Sequence, residues 1–347
     1  MKLAIVGLPQ SGKATVFAAL TGARGHGGHA GSHADPRIAT ITVPDERIDF
    51  LSRLYQPKKT THARIEYLLP AGVPGAAPSA AEGGMWNQAR TCDALLLVVR
   101  NFRTPGGDAP NPEGEFRRME EEMVLNDLMV VEKRMERIEA DRKRGRKPEG
   151  NEADLLTACR KILDDGGPLR TEPELASAPA LKGFTFLSAK PLLVIVNNED
   201  EDEAPPRWER EPAHAGLMVV RARLEMDIAS MPAEDAAEFL DAYHIRESAL
   251  DRVIRHSYRL LNRISFFTVG SDEVRAWPIT AGTPAAEAAG TVHSDMEKGF
   301  IRAETLSFED LKTHGSFQAA RKAGAVRLEG RDYEVKDGDI INFRFNV

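Results

Sequence analysis

GLPQSGKAT, Gly7 to Thr15, follows the apolar run Leu3-Ala4-Ile5-Val6 and leads into a helix-compatible stretch, Thr15–Leu20, closed by Gly22. The spacing is G-x-x-x-x-G-K, placed between a strand and a helix, which is the context a phosphate-binding loop requires. In such a loop the glycines let successive backbone N–H groups converge on phosphate oxygens, and the helix adds its positive N-terminal end. Gly7, Pro9, Gln10, Ser11, Gly12, Lys13, Ala14 and Thr15 are therefore candidate nucleotide-binding residues. Lys13 is the candidate catalytic cation, bridging the β- and γ-phosphates. The motif wants Ser or Thr after its lysine, and Ala14 stands there instead.

Further apolar runs at Ile65–Leu69, Leu95–Val99, Leu192–Val196 and Met218–Val220 read as buried strands separated by helical segments. That alternation predicts a mostly parallel α/β sheet. A chain of 347 residues is long enough for two or three domains. Its formal net charge of -7 excludes a generic polyanion binder, so any nucleic-acid contact has to come from a local basic face. The two cysteines, Cys92 and Cys159, form neither a disulfide framework nor a metal knuckle, and they suit a reducing cytosol. With no visible signal peptide and no run of about 18 apolar residues, the expectation is a cytoplasmic protein that does not enter membranes.

From Asn111 to Gly167 the character changes. Val124, Leu128, Val131, Met135 and Ile138 recur at alternating spacings of four and three, and a second seam runs through Leu155, Cys159 and Ile162. The polar turn Gly145–Gly150 between them predicts an antiparallel helical hairpin. Arg142, Lys143, Arg144, Arg146 and Lys147 cluster at its tip, either as a solvated face or as an RNA or partner contact. From about Asn262, Ser265-Phe-Phe-Thr-Val, Arg275-Ala-Trp-Pro-Ile-Thr, Tyr333-Glu-Val and Ile340-Ile-Asn-Phe-Arg-Phe read as strands of a small α+β domain, with a tight turn at Asp337-Gly338.

A second element has to read the base. Asn197-Asn-Glu-Asp200 follows the strand Leu192–Val196, in the chain order of a GTPase-like sheet. There the acidic residue accepts hydrogen bonds from a guanine edge. Taken alone the motif is equally an acidic turn; with the phosphate loop it marks Asn197 and Asp200 as candidate base-side residues.

These stretches together resemble the Obg-like ATPase family, the YchF proteins, over nearly the whole chain. Beside GLPQSGKAT and KPLLVIVN, the supporting segments are VPDERIDFL, QPKKTTHARIEY and DLMVVEKRMERIE. The densest are FFTVGSDEVRAWPI, AAGTVHSDMEKGFIRAE and RLEGRDYEVKDGDIINFRFNV. The resemblance implies an α/β P-loop NTPase G-domain sheet over 1–102 and 186–262, an inserted coiled-coil hairpin over 103–185 and a C-terminal β-grasp-like TGS domain over 263–347. It also implies ATP or GTP as the nucleotide, with ATP favoured, and very slow hydrolysis. The implied partner is the ribosome or ribosomal RNA, with no membrane and no specific DNA. By the same analogy Asn198 lies against the base and Ala222 belongs to the other base-side loop.

The departures from that pattern fall on one ion. The family's loop ends Lys-Ser-Thr, and its Ser hydroxyl ligates Mg²⁺; Ala14 has no oxygen to offer. The family's Asp-Ile-Ala-Gly appears as Leu69-Pro-Ala-Gly72, so the metal-holding Asp is lost while Gly72 remains to approach the γ-phosphate. The switch threonine falls within Gly25–His33, where Ser32 is the only nearby hydroxyl. Val73 stands where the wider class carries a water-positioning Gln, and Ala76–Met85 lacks most of the family's switch. Mg²⁺ demands nearly octahedral oxygen coordination, so it is expected to be weakly held, with the loss falling on turnover.

Three functions compete on these residues: a nucleotide-binding regulator with weak or absent hydrolysis, an active slow Mg²⁺-dependent ATPase or GTPase, and a nucleotide-independent ribosome or RNA adapter. Two side readings belong here. His26, His29 and His33 have the chemistry of a transition-metal site, though the intervening glycines favour a mobile switch loop. Phe266, Phe267 and Trp277 stack on RNA bases or sit in a core.

Overall fold

The computed structural model describes residues 1–22, 35–71, 78–104, 106–145, 150–212, 214–242 and 248–346. Gly72, Val73, Ser32, His26, His29, His33, Arg146 and Lys147 lie outside the described residues. Two compact units are formed, one by residues 1–41 and 66–253, the other by residues 42–65 and 254–347. Among the described residues no helix is long and apolar enough to cross a membrane.

In chain order the strands are β1 (Lys2–Val6), β2 (Arg37–Thr42), β3 (Lys59–Thr61), β4 (Arg64–Leu69), β5 (Ala94–Asn101) and β6 (Leu192–Asn198). They continue with β7 (Ala215–Val220), β8 (Arg263–Val269), β9 (Glu273–Thr280), β10 (Phe300–Leu306), β11 (Arg327–Glu329) and β12 (Ile340–Phe345). The first sheet has the order β2-β4-β1-β5-β6-β7, and its β4-β1-β5-β6-β7 neighbours are parallel. All five apolar runs read from sequence are strands of it. The central β1, β5 and β6 are uninterrupted because parallel strands inside a sheet are buried on both faces, whereas β4 carries the exposed Glu66 and β7 is partly buried at the edge. β2 was not anticipated: Arg37-Ile-Ala-Thr-Ile-Thr buries only alternate positions at the sheet's edge.

The helix Pro112–Lys143 is capped by Asn111, whose side chain accepts from the Gly114 amide at 2.9 Å. It pairs antiparallel with the helix Glu152–Asp164, and the ion pairs Arg134–Glu152 and Arg160–Glu132 bridge the two. Val124, Val131 and Ile138 are buried in the seam, with Leu128 and Met135 partly so. On the shorter helix the buried row is Leu156, Cys159 and Leu163; of the seam expected from sequence Cys159 belongs to it, while Leu155 and Ile162 lie one position away at its margin.

Within the long helix sits a residue the apolar pattern passes over. Asp127 is fully buried, and it accepts from the amides of Leu187 (3.0 Å) and Ser188 (2.7 Å) and from Arg90 Nη1 (3.0 Å). Burial pushes its carboxyl up, against the downward pull of those donors. The side chain thereby ties the long helix to the segment entering β6 and to the end of the helix Pro78–Ala89 and the turn before β5.

In the second unit the sheet order is β11-β10-β12-β8-β9-β3. β8 and β9 pair antiparallel from Arg263↔Thr280 to Val269↔Val274, while β12–β8 and β3–β9 are parallel. The helix Ala285–Val292 covers Phe266, Ile279, Ala303 and Ile341. Phe266 and Phe267 are fully buried, so they are core residues and not a base-stacking surface. Trp277 is partly buried, stacked on Phe266, and its Nε1 donates to Thr268 Oγ1 at 2.9 Å. Tyr333-Glu-Val is not a strand: it makes an isolated bridge, Pro284↔Glu334, because its backbone bonds go to the turn before the helix. The Asp337-Gly338 turn is present, with Gly338 at φ 92°. Read from sequence, residues 42–65 fall in the segment 1–102; in the structure the helix Glu46–Tyr55 and β3 join the second unit, through the β3–β9 ladder and the Arg47–Asp337 ion pair.

Removing Asp127 leaves two buried amides without their acceptor and takes the carboxylate from the part-buried Arg90. Asp127→Ala is expected to destabilise the first unit by about 3 kcal/mol in urea unfolding. Arg134→Ala, which breaks a more exposed pair, is expected to cost under about 1 kcal/mol in the same measurement.

Candidate nucleotide site

β1 lies in the interior of the first sheet, so the loop after Val6 emerges among the C-terminal ends of β4, β5 and β6. Ligands of open parallel sheets bind at that edge. Two glycines are required there by close approach. A Cβ on Gly7 (φ 156°) would fall 2.5 Å from the Val98 carbonyl oxygen of β5. On Gly12 (φ 88°) it would fall 2.1 Å from Asn197 Nδ2. Between them Pro9 and Gln10 are exposed, Gln10 in the left-handed region at φ 65°, and Ser11 turns inward. The Ser11 amide donates to the Leu8 carbonyl at 3.2 Å, and its Oγ is buried with no hydrogen-bond partner among the described residues.

The helix Lys13–Gly22 starts directly on this loop, with Val16 N donating to Gly12 O at 2.9 Å. Its first N–H groups therefore have no intrahelical acceptor and face the loop's end. Lys13 is half-buried; its Nζ donates to Leu8 O at 3.0 Å, and burial pulls its pKa down. A half-buried ammonium among unpaired amide donors is the chemistry that accepts a phosphate.

The base-side loop is built on two asparagines at the end of β6. Asn197 is buried: its Nδ2 donates to the Ser11 carbonyl at 3.3 Å, and its Oδ1 accepts from the Ala222 amide at 3.1 Å. One carboxamide thus joins the phosphate loop, β6 and the start of the helix Ala222–Ser230. Asn198 faces the other way along the edge. Its Oδ1 accepts from Asn101 Nδ2 of β5 (2.9 Å), and its Nδ2 donates to the carbonyls of Asp202 (3.0 Å) and Ala204 (2.9 Å). Asp200 Oδ1 accepts from the Leu224 amide at 3.1 Å, and Glu199 Oε1 from the Arg103 amide at 2.8 Å.

These residues enclose a cavity of about 580 Å³, within the range of small-molecule pockets. Of the residues singled out in the sequence, Gly12, Thr15, Asn197, Asn198 and Asp200 line it, and Ala222 is held to it through Asn197. Phe102, Arg103, Arg223, Met226 and Asp227 line it as well and were not read from sequence. Their presence follows from the β5–β6 register, Asn101↔Asn198, which brings the residues after β5 beside the base-side loop.

The donor set fits a nucleotide's phosphates and sugar–base end. Among the described residues it does not fit a divalent ion. Ala14 is exposed at the helix start without an oxygen, Leu69 is a buried alkyl group at the end of β4, and Thr15 lines the base-side cavity. Among the described residues no group of three or more His, Cys, Asp and Glu is arranged to hold a metal.

Asn197→Ala would leave the Ala222 amide and the Ser11 carbonyl unpartnered in a buried place. It is expected to lower stability by about 1–3 kcal/mol in equilibrium unfolding. Gly12→Ala, which drives a methyl group into the Asn197 amide, is expected to fall in the same range.

Comparisons with known proteins find relatives along the full chain. A family model described as YchF-GTPase_C, a protein of unknown function (DUF933), matches residues 263–346. The "Ribosome-binding ATPase YchF" of Bacillus subtilis (strain 168) is 36% identical, covering 99% of this chain and 98% of the relative. The protein of the same description from Escherichia coli O157:H7 is 38% identical, covering 100% and 99%. The solved structure described as "Structure of the Schizosaccharomyces pombe YchF GTPase" superposes with a TM-score of 0.85 at 27% identity, over 99% of this chain and 97% of that one. With relatives this similar from end to end and a shared fold, the chain belongs to the YchF family of Obg-like ATPases.

Proposed function

We propose that the protein is a purine-nucleotide-binding regulator that associates with ribosomes in the cytoplasm, favours ATP over GTP, and hydrolyses nucleotide weakly or not at all. The observation that carries this reading is the contrast within one site. The Gly7–Lys13 cradle is braced by Asn197 against a cavity of nucleotide size, while Ala14 and Leu69 stand where the family's metal-supporting oxygens belong. Lys13 and the first amides of its helix hold phosphate, and the residues around Asn197 and Asp200 hold the nucleoside. Phosphoryl transfer depends on positioning and charge stabilisation, so loss of the metal's supports falls on turnover more than on binding. Ribosome association and the ATP preference rest on the full-length likeness to proteins described as ribosome-binding ATPases. On the same likeness we read a G domain over 1–102 and 186–262, of which 42–65 packs with the second unit, a helical hairpin over 103–185 and a TGS domain over 263–347.

Calorimetric titration of ATP and GTP, each with and without Mg²⁺, tests this. Binding is expected to persist without Mg²⁺, and Lys13→Ala to weaken it by about tenfold or more, the loss of a charge-assisted hydrogen bond. Tight Mg²⁺ dependence together with ready turnover would overturn the proposal. The pair Ala14→Ser and Leu69→Asp is expected to make nucleotide affinity Mg²⁺-dependent, read in the same titration.

A further inference from the structure

The second unit contains a cavity of about 350 Å³ that the nucleotide reading does not use. Arginines reach it from three places: Arg47 on the helix Glu46–Tyr55, Arg255 and Arg259 one turn apart on the helix Ala249–Leu260, and Arg263 at the start of β8. Three carboxylates share the wall, Asp45, Glu46 and Asp337. Two of them are turned onto Arg47. Asp45 accepts from its Nε and Nη2, both at 2.9 Å, and Asp337 from its Nη1 (2.9 Å) and Nη2 (3.1 Å). Asp337 also accepts from the Ser265 amide at 2.9 Å.

Beyond Arg47 and its two carboxylates, the wall carries Arg255, Arg259 and Arg263, with Glu46 the carboxylate not bound to Arg47. Arg263 Nε is buried and has no hydrogen-bond partner among the described residues, while Arg259 is exposed. A guanidinium donor enclosed without an acceptor is a costly arrangement that an oxyanion relieves. The phenol of Tyr258 adds no negative charge: it bonds the Ile264 carbonyl (3.1 Å) and Ser265 Oγ (2.7 Å), and burial pushes it up to about 12. Planar guanidinium forks match phosphate oxygens, and the volume accommodates a phosphate with part of the molecule bearing it.

We propose that this cavity is a second phosphate-binding site, with Arg259 and Arg263 donating to the oxyanion of a small phosphorylated molecule or of a polynucleotide strand. The test uses the full chain carrying Lys13→Ala, which weakens the phosphate loop, with inorganic pyrophosphate titrated by calorimetry. One pyrophosphate site is expected to survive, and Arg259→Glu to weaken it by about tenfold or more. Arg259 is exposed, so that variant keeps its fold; Arg263→Gln is expected to act in the same direction. A single-stranded RNA decamer titrated in parallel separates the sources. RNA affinity lost with the same variants assigns the phosphate to a polynucleotide, and RNA affinity unchanged by them assigns it to a free small molecule. Absence of pyrophosphate binding in the Lys13→Ala chain, or binding indifferent to Arg259→Glu, overturns the proposal. Nucleotide binding at the loop is read separately, on the chain with Lys13 intact.

Discussion

Asn197 packs so closely against the phosphate loop that position 12 has no room for a Cβ. The same carboxamide holds the Ser11 carbonyl on one side and the Ala222 amide on the other. Three segments far apart in sequence therefore meet at one buried polar group, where every bond lost is paid in full because water cannot replace it. The loop's shape is fixed from β6 as well as from β1. The cavity exists because Asn198 and Asp200 then hold the following loop open against β5 and the helix Ala222–Ser230.

A buried polar residue serves the first unit a second time. Asp127 interrupts the apolar row of the long helix, and its carboxylate gathers two backbone amides and Arg90. An apolar seam alone permits sliding and rotation of a helix; a buried carboxylate with three defined donors permits one register. The helix pair is thereby anchored to the strands whose C-terminal ends carry the site.

The two units differ in the kind of charge they enclose. In the first, a half-buried lysine and helix-terminal amides converge at the loop, beside a base-side cavity edged with carboxylates. In the second, arginines dominate a smaller cavity, and two of its three carboxylates are consumed by Arg47. Neither arrangement follows from the overall charge of -7, because local pairing, not the sum over the chain, sets the field inside a cavity.

Much of the first unit is legible in the sequence. A parallel sheet buries both faces of its central strands, so β1, β5 and β6 appear as apolar runs, β4 and β7 keep enough apolar residues to be read, and the glycine spacing of Gly7–Lys13 reports backbone conformations that few other residues adopt. Half-polar strands and polar anchors carry no such mark. β2 and β3 are half-polar; Asp127 looks like one more charge on a charged helix. Residues 42–65 join the second unit through strand pairing and the Arg47–Asp337 contact, across 290 positions of sequence. By itself the sequence determined the strand–loop–helix that cradles phosphate, because it depends on neighbours along the chain. Tertiary structure alone decided which side chains brace that cradle, which line its cavity and which arginines meet in the second unit. Those depend on strand register and on buried groups finding partners, and neither is written in local sequence.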